Sequence, residues 1–414
     1  MQTPALNSND IYIQPAGDGY LLYAPLSGCA TMCSEKEVIE IENALANGNT
    51  EETWEMLMEH SAVVHEVQSV DTITEMTILL NQVCNFTCSY CYSAHGRDKS
   101  VLNSKKLITV LDFFVDRKRG NRLSLTFSGG GDPMLSFNLL SEAVIHARQL
   151  ADRQGIRLDI GVVTNGSTLT DEKINFIKHH DVQLVVSCDI LPDVHNVQRS
   201  HYEVVASTID RLCDAGLSIG LRSTITPLIV ERMHEMVDTL HQRFPRVGSA
   251  AFEAVLSSTI FPDAQSLREF YRKFAKGIFD AIDYGRTLGI EIGNTTINNV
   301  GACKTRSCLG KLVVTPHGSL TACSRIASPT DAHYHDFMFG EVSADGRLHI
   351  DHTRYNDIMQ SADFQRSECR ACVARYHCSG GCLLAHKSLT TEQAQAYCDF
   401  NREIVTRKII KAIS

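Results

Sequence analysis

The sequence predicts an α/β protein built on an open sheet of parallel strands, arranged as a partial barrel or as a doubly wound sheet. Three observations carry this. Short apolar runs alternate with helical stretches between about residues 75 and 289, a pattern that implies parallel pairing through right-handed crossovers. The runs number about six, too few to close an eight-fold barrel. A cysteine-rich segment poor in long periodic elements follows them.

With 414 residues, the chain has room for two or three domains. We divide it at 1–74, 75–295 and 296–414. In the first unit, 11–13 and 20–23 read as short strands around Ala16-Gly17-Asp18-Gly19, a turn signal. Ser34-Glu35-Lys36-Glu37 resembles a capping box and opens a helix. Asn47-Gly48-Asn49 breaks that helix, and Thr50 opens a second short one with Trp54 and Leu57 on one side. The core runs fall at 76–80, 123–127, 158–163, 182–187, 217–222 and 250–255, and the chemistry of such folds belongs at the C-terminal strand ends. The last segment is expected to be organised by metal more than by packing.

Hydrophobic residues make up 43% and charged residues 21%, which is globular composition. A net charge of −9 argues against a broad nucleic-acid footprint and against anchoring to anionic membranes. No run of 18 apolar residues occurs and the start is polar, so a reducing cytoplasm is the expected location. In that compartment 15 cysteines point to metal binding or catalysis, not disulfides.

After the first strand comes Cys84-Asn85-Phe86-Thr87-Cys88-Ser89-Tyr90-Cys91. Three thiolates on one loop can hold three irons of a four-iron cluster, leaving the fourth open to an exogenous chelator. The competing reading is zinc or structural thiols, but zinc loops usually add a second cysteine pair nearby. Other strand ends carry Phe127-Ser128-Gly129-Gly130-Gly131-Asp132-Pro133, Thr164-Asn165-Gly166, Ser187-Cys188-Asp189 and Arg222-Ser223-Thr224. Each alone reads equally well as a cap or surface contact; together they suggest a site. The C-terminal segment reads Cys303-x4-Cys308-x9-Gly318-x4-Cys323, then Cys369-x2-Cys372-x5-Cys378-x3-Cys382, then Cys398. Eight thiolates suffice for two four-iron clusters or two zinc ions, and spacing alone leaves both open. Cys29 and Cys33 read as structural, and Cys188 and Cys213 as small buried apolar residues.

The loop Cys84-x3-Cys88-x2-Cys91, with an aromatic before its last cysteine, resembles the radical S-adenosylmethionine (SAM) superfamily. The resemblance implies a partial (β/α)6 barrel, a small α+β N-terminal domain and an irregular cysteine-rich C-terminal one. It also implies that SAM chelates the open iron and yields a 5′-deoxyadenosyl radical that abstracts hydrogen from a substrate carbon. Tyr90, Gly130, Gly131, Asp132, Asn165, Ser187 and Arg222 would contact SAM. The glycine turn is similar to the family's Gly-Gly-Glu-Pro, with Asp132 in place of Glu and one extra glycine.

From Cys308 onward the pattern resembles the SPASM extension of radical enzymes that modify peptides and proteins. By that resemblance Cys303, Cys308, Cys323 and Cys382 bind one auxiliary cluster, and Cys369, Cys372, Cys378 and Cys398 the other. Full ligation would give both an electron-transfer role, for a total of three four-iron four-sulfur clusters. The implied substrate is a ribosomally made precursor peptide, captured through residues 1–74 acting as a leader-recognition domain, with a flavodoxin- or ferredoxin-type reductant. Sulfatase-maturing enzymes place an Asp directly after the cysteine equivalent to Cys323; here Ser324 stands there. The rival from another class is a non-catalytic iron–sulfur or zinc scaffold.

Overall fold

A computed structural model describes residues 10–47, 62–361 and 367–413. Strands β1 (Tyr12–Ala16) and β2 (Gly19–Ala24) form an antiparallel hairpin, with Gly17 at φ +61° in its turn. A third strand, β3 (Cys29–Cys33), joins the far side of β2. The sequence reading missed it because only Cys33 of its five residues is buried, so no alternation shows. The capping box forms: the Ser34 N–H donates to the Glu37 carboxylate at 2.7 Å and the Glu37 N–H to Ser34 Oγ at 3.4 Å. It opens the helix Glu35–Asn47. The break at 48–49 and the second helix expected from Thr50 lie outside the described residues.

Alternation gives this sheet two apolar faces. Ile13, Leu22 and Ala24 pack on Val38 and Ile41 of the helix. Tyr12, Ala16, Leu21 and Tyr23 pack on Val373, Ala374, Val405 and Ile409 from the far end of the chain.

The core holds the six expected strands, all parallel: β5 (Glu75–Ile78), β6 (Arg122–Phe127), β7 (Arg157–Thr164), β8 (Val182–Ser187), β9 (Ile219–Ile225) and β10 (Ser249–Ala254). Before them, β4 (Val64–His65) pairs with β12 (Cys303–Lys304) in a separate two-stranded ladder. A short parallel strand, β11 (Glu291–Gly293), adds to β10. The crossover helices show the expected period. In Ser104–Phe114 the buried residues are Leu107, Val110, Leu111 and Phe114, one apolar stripe, and Asn103 caps its first turn.

The sheet stays open. Beyond β5 it continues with β13 (Leu312–Val314), parallel to β5, then with antiparallel β14 (Ser319–Thr321), β15 (Met338–Val342) and β16 (Leu348–Ile350), to 11 strands in all. The cysteine-rich segment is therefore packed into the main core, contrary to the expectation that metal would organise it. Three-residue strands such as β13, buried at every position, carry no readable period. The segment also ends in a long helix, Thr391–Ile413. Its Ala396, Phe400 and Ile404 join the main core while Val405 and Ile409 join the N-terminal sheet. Two burial faces erase the single stripe that a sequence reading looks for. Among the described residues no helix is long and apolar enough to cross a membrane.

Candidate functional site

At the C-terminal ends of the parallel strands lies a cleft of about 460 Å³. Cys84, Cys88 and Cys91 line it, together with Tyr90, Gly130, Gly131, Asp132, Asn165, Ser187 and Arg222. The three loop cysteines and the seven candidate ligand-contacting residues thus line one cleft.

The cysteine loop is fixed by its own backbone. The Ser89 N–H donates to the Gln198 carbonyl at 2.9 Å and the Cys91 N–H to the Cys88 carbonyl at 3.1 Å. Arg97 donates to Cys91 Sγ at 3.1 Å, and Phe86 is buried beside His201. Burial pushes the Cys88 thiol up to about 11, so it carries a proton until a metal displaces it.

The glycine turn lies flat against the strand end that launches this loop. The Gly131 N–H donates to the Asn81 carbonyl at 2.7 Å and the Asp132 N–H to the Val83 carbonyl at 2.8 Å. The Asn81 amide returns a bond to the Asp132 carbonyl at 2.9 Å and accepts one from the Val83 N–H at 2.9 Å. A Cβ on Gly131 would collide with the Val83 carbonyl and the Asn81 side chain. Gly130, at φ +67°, makes the turn. Gly131 is thus required by close approach of backbone to backbone.

Asp132 is almost fully buried, with both oxygens engaged. They accept from Thr164 Oγ1 at 2.9 Å, from the Asn165 N–H at 2.6 Å and from the Met134 N–H at 2.9 Å. Burial raises its pKa and these donors oppose the rise. Its carboxylate braces β6 to β7. Asn165 in turn donates to Asn85 Oδ1 at 3.0 Å and accepts from the Ser167 N–H at 2.9 Å, which ties the third strand end to the cysteine loop.

Sequence reasoning missed a buried network centred on Asp189. Tyr90 does not point free: its hydroxyl donates to the Asp189 carboxylate at 2.8 Å and accepts from Arg199 at 2.6 Å. Gln198 and the Thr224 N–H donate to the same carboxylate at 3.0 and 3.2 Å. The Asp189 N–H donates to His195 Nδ1 at 3.2 Å. Burial raises the Asp189 pKa and Arg199 offsets this. Burial also opposes the Arg199 charge, but Tyr90, Asp189 and Cys88 outweigh it and hold the guanidinium protonated. Arg199 lines the cleft and its Nε has no hydrogen-bond partner. Arg222, the arginine the sequence singled out, stands at the exposed rim, paired in register with Ser187. Nothing in the local sequence marks Arg199; only the packing of the helix Pro192–Gln198 under the loop brings it in.

The C-terminal thiols fall into two groups. Cys378 is surrounded electrostatically by Cys372, Cys398 and Cys369, and Cys323 by Cys382 and Cys308. A bond from the Ser307 N–H to the Ser379 carbonyl at 3.0 Å draws the segment that bears Cys308 onto the second cysteine loop. Burial pushes the Cys323 thiol up to about 12. Cys303, the fourth thiol of the ligand set implied by resemblance, sits against the N-terminal unit. Its thiol donates to the Pro25 carbonyl at 3.5 Å among Leu26 and Tyr376. Cys33 and Cys188 are buried among apolar neighbours, while Cys29 and Cys213 are half-buried. Among the described residues no three His, Cys, Asp or Glu side chains converge to hold a single metal ion. Soft thiols grouped around larger spaces are the donor chemistry of iron–sulfur clusters.

An open α/β sheet with a three-thiol loop at its strand ends is an arrangement that can hold a thiolate-bound cofactor. Residues 78–242 match the Radical SAM superfamily, so the chain carries a radical SAM domain. It is similar to the radical SAM cyclopropyl synthase TigE of Paramaledivibacter caminithermalis, at 21% identity over 77% of this chain and 70% of the relative. It is also similar to the serine-type anaerobic sulfatase-maturating enzyme of Bacteroides thetaiotaomicron, at 21% identity over 72% of this chain and 80% of that one. Among solved structures, anSMEcpe with bound AdoMet shares the fold with a TM-score of 0.65 at 15% identity, covering 82% of this chain and 98% of that one. SuiB of Streptococcus suis bound to precursor peptide SuiA shares it with a TM-score of 0.57 at 13% identity, covering 95% of this chain and 98% of that one.

Two predictions follow from the packing. Gly131→Ala should destabilise the protein by about 2 kcal/mol or more, through strain against Val83 and Asn81. Gly155→Ala, at a helix end with open space around it, should cost only about 1 kcal/mol. Thermal melts of the two variants, showing equal shifts, would remove the close-approach argument. Secondly, burial lowers His195 to about 4, against 6.5 for the unfolded chain. The unfolded state takes the proton first, so this contribution is complete above pH 6.5 and is lost as pH falls towards 4. The loss amounts to about 3 kcal/mol. Denaturant melts across that window should show a shallower pH dependence for His195→Gln than for wild type.

Proposed function

We propose that this protein is a radical SAM maturase that modifies a ribosomally made precursor peptide. One observation carries the reading: a single cleft brings the three-thiol loop and the strand-end residues together and reaches Ser324 and Arg325, next to the C-terminal thiol Cys323. A substrate entering there meets both the radical site and the cysteine-rich segment. The similarity to SuiB, solved with its precursor peptide, supports a peptide substrate. So does the N-terminal sheet, whose edge strand β3 presents exposed Thr31 and Met32 for pairing with an added strand.

In this reading Cys84, Cys88 and Cys91 hold the radical cluster, and the C-terminal thiols hold two auxiliary clusters. The cofactor, when bound, supplies the 5′-deoxyadenosyl radical that abstracts hydrogen. The chain supplies position. Gly130 and Gly131 let the backbone approach the ligand, Asn165 and Ser187 offer polar contacts, and Arg199 offers a buried cation for a carboxylate. A low-potential flavodoxin- or ferredoxin-type donor in a reducing cytoplasm would provide the electron. The residue after Cys323 is Ser324, a poor base at neutral pH, which disfavours a sulfatase-maturing reaction that relies on Asp there. The reaction is instead a crosslink or another change at a substrate C–H bond.

Anaerobically purified protein should hold roughly 12 irons per chain, and about two thirds of them after Cys84, Cys88 and Cys91 are all changed to Ala. That variant should form no 5′-deoxyadenosine. Persistent formation above a no-enzyme control would displace the radical site from this loop.

The role of the N-terminal sheet is best tested at its edge. Deleting the unit would expose Val405 and Ile409 of the C-terminal helix. Met32→Asp, at an exposed position of β3, should weaken precursor binding about tenfold. 5′-Deoxyadenosine formation without peptide should be unchanged. Unaltered peptide affinity would reduce the unit to a structural cap.

A further inference from the structure

We propose that Glu253 accepts the proton that the substrate loses during the reaction. The inference rests on the radical maturase reading above and names the base that this reading leaves open.

Joining a substrate carbon to a group X breaks one C–H and one X–H bond and forms one C–X bond. The hydrogen on carbon leaves as an atom to the 5′-deoxyadenosyl radical, which becomes 5′-deoxyadenosine. Loss of the proton leaves a lone pair on X, and this pair bonds to the carbon radical. The surplus electron passes to an oxidised iron–sulfur centre of the C-terminal segment. The proton needs an acceptor within reach of the cleft, and Ser324 is a poor one.

Elimination leaves a single side chain. Among the described residues no histidine or lysine lines the cleft, and its arginines keep their protons. Tyr92 is a phenol, protonated at neutral pH. The Tyr90 hydroxyl is already bonded to Asp189 and Arg199. Two carboxylates remain, Asp132 and Glu253. Asp132 is 4% exposed, and both its oxygens are held by Met134, Thr164 and Asn165.

Glu253 is placed differently. It stands on β10 opposite Thr224 of β9, as Arg222 stands opposite Ser187 of β8. All four line the cleft, so Glu253 lies on the sheet face that a substrate meets, and it is half-buried there. The donors that hold its carboxylate are neutral. Oε1 accepts from Thr295 Oγ1 at 2.5 Å and from the Thr295 N–H at 3.2 Å, and Oε2 from Asn294 Nδ2 at 3.3 Å. Asn294 is anchored in turn. It donates to the Phe252 carbonyl at 2.8 Å and caps the short helix Thr295–Asn298. A neutral donor stabilises a carboxylate less than an arginine would, so Glu253 is oriented yet keeps more of its affinity for a proton. Three residues on, the Leu256 carbonyl accepts from Arg325 at 3.0 Å. The acid absent at position 324 is thus supplied by the segment bonded to its neighbour.

The experiment uses the full chain, reconstituted anaerobically. The probe is a pool of synthetic peptides translated from the short reading frames beside the gene. The readouts are 5′-deoxyadenosine and a peptide lighter by two hydrogens. Glu253→Gln keeps an oxygen for Thr295. It should form 5′-deoxyadenosine at the wild-type rate while product falls about a hundredfold. Glu253→Asp should recover part of that loss. Thr295→Val, which removes one bond but leaves the carboxylate, should lower product only a few-fold, roughly what one lost hydrogen bond is worth. Undiminished product in Glu253→Gln overturns the proposal. So does an equal fall of 5′-deoxyadenosine and product, which would put Glu253 at the cofactor. A loss in Thr295→Val as large as that in Glu253→Gln overturns it too, by reducing Glu253 to a clamp on the helix. Wild type that forms 5′-deoxyadenosine but changes no peptide overturns the maturase reading, and the proposal with it.

Discussion

The buried carboxylate of Asp132 is the constraint on which the site depends. A carboxylate taken out of water costs several kcal/mol unless its oxygens are bonded. Here they are met by Thr164, Asn165 and Met134, two of which belong to the next strand end. The requirement to satisfy that charge locks β6 to β7. Through Asn165 and Asn85 it also sets the wall of the cysteine loop. The backbone bonds from Gly131 and Asp132 to Asn81 and Val83 close the circuit from the other side. A Glu here would have to reach the same donors with one more methylene, so Asp132 and Gly131 belong together as one solution to a tight turn.

Asp189 plays the matching part on the opposite wall. It is wholly buried and receives donors from Tyr90, Gln198 and the Thr224 backbone, with Arg199 beside it. Its partners come from the loop after β5, the helix after β8 and the strand β9. A charge-assisted network with every member bonded is rigid, and rigidity is what a site that confines a reactive radical needs. The two carboxylates thus anchor the cysteine loop at two points, Asp189 through Tyr90 and Asp132 through Asn165 and Asn85.

Much of this was legible in the sequence. The six core strands could be read because each is an apolar run bounded by polar turns, and the strand-end motifs because glycines and cysteines mark them locally. β3, β11 and β13 could not, since three to five residues with no alternation carry no period. Arg199 was invisible for another reason: its role depends on where a short helix packs, not on its neighbours in the chain. Cys303 shows the converse: the family resemblance implies a ligand, while pairing with β4 and a bond to the Pro25 carbonyl place its thiol beside the N-terminal unit.

The helix Thr391–Ile413 bears on how the molecule is made. Gln14 bonds Thr406 across 392 positions of chain, and the second face of the N-terminal hairpin is covered by Val405 and Ile409. During synthesis at roughly 5–20 residues per second, the hairpin emerges first and waits for the last residues before that face is dry. The hairpin is thus completed only by residues made after the whole core sheet. Until then Leu21 and Tyr23 offer an apolar surface to any chaperone in reach.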